Sequence, residues 1–175
     1  MHRRKKVKPL KISDTVIHMP EGVCKVTEII ERELSTSGRH KYYILVPVYD
    51  PGTKIYVPIE GSGHKIRSLL SCEEVNNLIQ DISEADYIWI EDEKKRQEAY
   101  SDIIAGGDHK MVISLIRTLD REKSRKEEAG KKFHSADERI FKEAERILNE
   151  EFGFVLGIKP SSVPDYIKEQ TLKED

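Results

Sequence analysis

The sequence predicts an α+β chain, with a small N-terminal β-barrel followed by a C-terminal all-α helical domain. Three observations carry that expectation. From Asp14 to about Ser68 the chain is rich in β-branched and aromatic residues in short runs. These runs are broken by turn signals at Pro20-Glu21-Gly22, Ser35 to Gly38, Asp50-Pro51-Gly52 and Gly61 to Gly63. After Ser68 the apolar period changes to that of helices.

Five strands are expected, in "DTVIHM", "GVCKVTEIIEREL", "HKYYILVPVY", "TKIYVPI" and "HKIRSL". So many short strands in so few residues suit a closed barrel, because closure removes the edges that a small sheet leaves open to pairing. Ser71 with Glu74 predicts a capping box on a short helix ending near Ile82, with Val75, Leu78, Ile79 and Ile82 as its stripe. A second helix should run from about Asp92 to Ala105 and stop at Gly106-Gly107. Asp108 should cap a third, striped by Met111, Val112, Leu115, Ile116 and Leu119, before the polar run "DREKSRKEEAGKK". Ser135 with Glu138 reads as another capping box, opening a helix that carries Ile140, Phe141, Ala144, Ile147, Leu148 and Phe152. A last short helix, capped at Ser161 or Ser162, closes the chain. The expected organisation is a basic tail over residues 1–11, a barrel over 12–70, a linking helix over 71–83 and a helical domain over 84–175.

Charge limits the partners. Among 175 residues the net charge is −2, but residues 1–80 carry 13 Lys+Arg against 9 Asp+Glu, and residues 81–175 carry 17 against 23. Neither half is a polycation, so any contact with nucleic acid must come from local clusters and be weak. The leader "MHRRKKVKPLK" is either an electrostatic arm or a solvated tail. No apolar h-region follows it and no run approaches 18 apolar residues, so a soluble cytoplasmic protein without membrane contact is expected. Cys24 and Cys72 form neither a disulfide framework nor a zinc pattern, which implies a reducing compartment.

The sequence offers little to an enzyme. The histidines and cysteines show no metal-ligand spacing, and "GSGHKI" has Ile66 where a dinucleotide fingerprint needs its third glycine. Cys72 stands at a helix start without an evident base, and Glu91-Asp92-Glu93 suits helix-dipole pairing better than acid/base work. No catalytic residue, metal or cofactor is expected.

Four strings in order resemble the CarD/CdnL family, bacterial regulators that bind RNA polymerase. They are "SDTVIHMPEGVCKVTEIIERE", with Asp14, Val16, Gly22, Val26 and Ile29 on the pattern, then "HKYYILVPVYDPGTKIYVPIE", "GDHKMVISLIRTLDREK" and "SADERIFKEAERILNEEF". The similarity spans residues 12 to about 156. His18 and Met19 depart from the family's usual Tyr-Pro, and Glu138 stands at a position often basic. The resemblance implies a Tudor/SH3-like barrel that docks on the RNA polymerase β subunit, and a helical domain that touches promoter DNA weakly, within the polymerase complex. It implies Arg32 and Tyr56 as polymerase-contacting residues; for both, a plain solvated strand position is the alternative. It points to Lys94, Lys95, Arg96, Lys131, Lys132 and Arg139 as a DNA-contacting patch, with ordinary solvated charge as the alternative. Trp89, the single tryptophan, is either a wedge in the minor groove or a core residue sharing a helical face with Arg96, Tyr100 and Ile103. The ungapped register from Gly107-Asp108 puts Glu93, not Trp89, at the family's wedge position. A monomeric, nucleoid-associated transcription regulator is expected; the alternative is an adaptor on polymerase that never touches DNA.

Overall fold

The computed structural model describes residues 9–35, 38–60 and 65–171. Residues 1–8 of the expected basic tail, and the glycine turn at 61–63, lie outside the described residues. The chain divides into two compact units, Met1–Leu70 and Ser71–Asp175.

The first unit is an antiparallel five-stranded sheet in the order β4-β3-β2-β1-β5. Its strands are β1 (Thr15–His18), β2 (Gly22–Ser35), β3 (Gly38–Pro47), β4 (Ile55–Pro58) and β5 (Ile66–Arg67). All five expected strands form. Gly22, at φ 83°, closes the turn from β1 into β2 in the left-handed region that glycine enters without strain. Strand β2 bends at a bulge: Val26 pairs with Leu45 and Glu28 with Ile44, leaving Thr27 over. The extra residue reverses the alternation, so Cys24 and Val26 point inward while Glu28, Ile30 and Arg32 point out.

Every strand contributes to one core, formed by Val16, Cys24, Val26, Tyr43, Leu45, Val57 and Ile66. A flat sheet could not bring its first and last strands onto one cluster, so the sheet is wrapped. Among the described residues the ladder does not close: β4 and β5 are end strands, four and two residues long, each paired on one side. The expected closure is met by side chains instead of a continuous hydrogen-bonded ladder.

His18 is a buried titratable group of the barrel. It is 7 % exposed, and among the described residues its Nδ1 has no hydrogen-bond partner. Burial lowers its pKa from the ordinary value; Glu21 opposes this and Lys65 adds to it. The unfolded chain therefore takes up the proton first as pH falls, and the barrel loses stability below about pH 6.5. Thermal melts at pH 7.5 and 5.5 check this: the wild-type midpoint should fall further than that of His18→Gln, and equal falls would remove His18 as the cause.

The second unit is helical, with α1 (Cys72–Gln80), α2 (Glu93–Gly106), α3 (His109–Glu128), α4 (Ser135–Leu156) and α5 (Val163–Thr171). The capping box on α1 is present: Glu74 N–H donates to Ser71 Oγ at 3.2 Å and Ser71 N–H to Glu74 Oε2 at 2.8 Å. Helix α1 ends at Gln80, a 3-10 turn follows over Asp81–Glu84, and its buried Val75 and Ile79 belong to a helix packed on α4 and α5. Asp92 and Asp108 cap α2 and α3 through their side chains, and Gly107 ends α2 at φ 66°.

Two local expectations are corrected. Ser135 is the first residue of α4, not its cap; His134 holds the cap position, and Glu138 instead pairs with Lys123 and Lys142. Ser161 and Ser162 lie in a 3-10 turn, Pro160–Ser162, that leads into α5. Helix α3 runs past its predicted stripe to Glu128, burying Thr118 and Glu122 where the apolar pattern stops. The predicted stripe of α4 is buried throughout, and α4 packs against all four other helices. Gly153 permits part of that packing, because a Cβ there would stand 2.9 Å from the Ile158 carbonyl oxygen. Among the described residues, no helix is long and apolar enough to cross a membrane.

Candidate functional site

On the barrel, strand register decides which residues share a face. Tyr43 and Leu45 of β3 enter the core, so His40, Tyr42 and Ile44 stand on the opposite face. Arg32 pairs with His40, Ile30 with Tyr42, and both Glu28 and Tyr56 with Ile44. Directly opposed residues point to the same side. Arg32 and Tyr56 therefore lie on one outer face that crosses three strands. Arg32 is exposed, and Tyr56 keeps 45 % of its surface over the buried Ile44. An exposed ring and an exposed guanidinium on one rigid sheet form a patch suited to a protein partner, since aromatic residues and Arg are enriched in such contacts.

In the helical unit, residues 85–92 form no regular element and are held to α3 through Tyr87 and Ile88 before α2 begins. Thr118 Oγ1 receives the Ile88 N–H at 3.0 Å, and the Tyr100 hydroxyl donates to the Ile88 carbonyl at 3.0 Å. Trp89 thus lies outside α2 and shares no helical face with Tyr100 and Ile103. Its ring is half-buried, with the Arg96 guanidinium 4.3 Å and the Lys126 ammonium 5.6 Å from its centroid.

Arg96 is corrected as a DNA-contacting residue. It is 4 % exposed and grips Asp137, itself fully buried, through Nε at 3.0 Å and an Nη at 2.8 Å. Its other Nη donates to the Ile90 and Glu91 carbonyls at 2.8 and 3.2 Å. Burial opposes the charge, but the bond and charge of Asp137 outweigh it and raise the pKa. With its donors directed inward, this guanidinium has nothing to offer a phosphate.

The other basic residues of the patch are exposed: Lys94 and Lys95 in the first turn of α2, Lys131 and Lys132 before α4, and Arg139 within it. The Arg96–Asp137 pair, and a His134–Glu93 pair at 3.4 Å, bring the start of α2 against the start of α4. The elements carrying the two basic groups therefore meet. Glu93 and Glu138 lie among them, which keeps the local potential modest.

A neighbouring cluster escapes the apolar pattern. Tyr87, 49 % exposed, donates its hydroxyl to Glu122 Oε1 at 2.5 Å, and Arg121 lies 5.0 Å from its ring centroid. Glu122 is buried and pairs through Oε2 with Arg125 at 3.0 Å. Burial and the Glu122 carboxylate raise the Tyr87 pKa, keeping the phenol protonated. Arg117, Arg121 and Arg125, all exposed, repeat every four residues along α3. That spacing is present in the sequence, but it falls in a run that reads as merely polar.

Elsewhere, Cys72 spends its thiol hydrogen on the Val155 carbonyl at 3.2 Å. Among the described residues no group of three or more His, Cys, Asp or Glu side chains is placed to hold a metal ion.

Residues 10–70 match the family model described as the CarD-like/TRCF RID domain, a domain of RNA polymerase-interacting, transcription-related proteins. The match covers the barrel and leaves the helical unit outside it. A search of curated proteins gives no match.

Proposed function

We propose, from the premise that this chain belongs to the CarD-like family through its N-terminal barrel, that it is a non-enzymatic transcription regulator. Its barrel docks on the RNA polymerase β subunit and its helical unit adjusts the stability of the open promoter complex. The observation that carries this reading is the family match over residues 10–70, on a barrel whose register puts Arg32 and Tyr56 on one outer face. The protein works as a monomer in the cytoplasm, on the nucleoid. Promoter contact falls to Lys94, Lys95, Lys131, Lys132 and Arg139, which touch phosphates weakly and only where polymerase holds the DNA nearby.

A second reading makes the chain an adaptor on polymerase without DNA contact. The excess of carboxylates over residues 81–175 and the burial of Arg96 favour it. The two readings part on one comparison. Changing Lys94 and Lys95 together to Glu should shorten promoter-complex lifetime while polymerase binding persists. An unchanged lifetime establishes the adaptor.

Docking has its own test. Arg32→Glu should reduce capture of the polymerase β subunit on the order of tenfold or more, with thermal stability unchanged, because an exposed arginine contributes contact and not core. Full capture by this variant would remove the outer face of β2 from the interface.

A further inference from the structure

We infer that the arginine row of α3, together with the Tyr87 ring beside it, is a binding surface for single-stranded nucleic acid. This deepens the promoter reading above and rests on it for the source of the strand.

The charge comes first. Arg117, Arg121 and Arg125 recur at every fourth position, about 6 Å apart along the helix axis, and all three are exposed. Each is steadied by one neighbour. An Arg117 Nη donates to the Ile82 carbonyl at 2.9 Å, Arg121 lies against the Tyr87 ring, and Arg125 pairs with Glu122. A guanidinium has five N–H donors, so one tether fixes its position and leaves others for a phosphate. Carboxylates share this surface: Glu122 is buried beside it, and the exposed Asp120 and Glu128 stand three positions after Arg117 and Arg125.

The ring decides which nucleic acid fits. Tyr87 is held at two points, through the backbone of the next residue on Thr118 and through its own hydroxyl on Glu122. A ring whose tip is bonded to a buried carboxylate cannot enter a base step as a wedge. It can receive a base that comes to it, and stacking on a fixed aromatic platform costs little ordering. Paired bases are already stacked and offer no free face, so the duplex gains only its phosphate contacts here. An unpaired strand uses both components, phosphates on the arginines and a base on the tyrosine. Because every base has a π-face, the surface should be indifferent to sequence.

The test is anisotropy of a short labelled oligothymidylate with the full-length protein. Tyr87→Leu removes stacking while keeping apolar bulk and should weaken binding about 5- to 100-fold. Arg117→Gln with Arg121→Gln should lower the salt slope by roughly 0.7 per lost contact. Both arginines are exposed, so this double variant decides the matter if Tyr87→Leu, by unpairing Glu122, disturbs the fold. Binding of a duplex of equal length as tightly as the single strand, or full binding by the double variant, would overturn the inference. Capture of polymerase and the effect of the Lys94/Lys95 change are separate measurements, so failure here leaves the docking and promoter readings standing.

Discussion

Asp137→Ala should destabilise the helical unit by about 3–5 kcal/mol, lowering its melting midpoint by roughly 10 °C or more. Asp137 is fully buried in the first turn of α4, and both of its oxygens accept from Arg96. Removing it leaves a guanidinium inside the unit with no counter-charge. A buried lysine could escape by giving up its proton, but an arginine stays charged in proteins, so the cost cannot be relieved that way. The backbone adds to the loss, since the same guanidinium holds the Ile90 and Glu91 carbonyls and so fixes the approach to α2. A circular-dichroism melt reads the effect directly, and a loss under about 1 kcal/mol would mean that water reaches Arg96. The double change Arg96→Met with Asp137→Leu should recover much of the stability, because an apolar pair of similar volume replaces the ion pair without stranding a charge.

Much of this fold is legible in the sequence because it is specified locally. Caps at Ser71 and Asp108, the glycine that ends α2, and the stripe of α4 each depend on residues within a few positions of one another. What escapes a sequence reading depends on distance. Arg96 looks like the third member of a solvated basic trio until Asp137, 41 positions away, is folded against it. Helix α3 outlasts its apolar pattern because its buried face changes chemistry: Thr118 and Glu122 take over from Leu119, and their partners lie in residues 85–92. Barrel closure escapes for a related reason, since strand patterns reveal which faces are apolar but not whether the end strands exchange hydrogen bonds. The candidate surfaces divide the same way. The shared face of Arg32 and Tyr56 follows from register, and register passes through a bulge at Thr27 that no alternation pattern announces.

Trp89→Ala should cost the helical unit about 2–4 kcal/mol, between a full core truncation and a surface change. The ring is half-buried, so it loses less apolar contact than a core tryptophan. It is also stacked 4.3 Å from a guanidinium withdrawn from water, where a cation–π contact contributes about 2 kcal/mol. The indole nitrogen adds nothing in return, because Trp89 Nε1 is buried and among the described residues meets no acceptor. Trp89→Phe should therefore retain most of the stability, keeping a ring over Arg96 while removing an N–H that has no bond to lose. A wedge would behave in the opposite way. It would have to stand clear of the protein to enter a base step, and its removal would shorten promoter-complex lifetime while leaving the melt unchanged. With the ring stacked on Arg96, and Lys126 beside it, the melt is the measurement that should move first. At a temperature where Trp89→Ala is still folded, promoter-complex lifetime should match the wild type. A shortened lifetime with an intact melting midpoint would return Trp89 to the DNA and refute the structural role assigned to it.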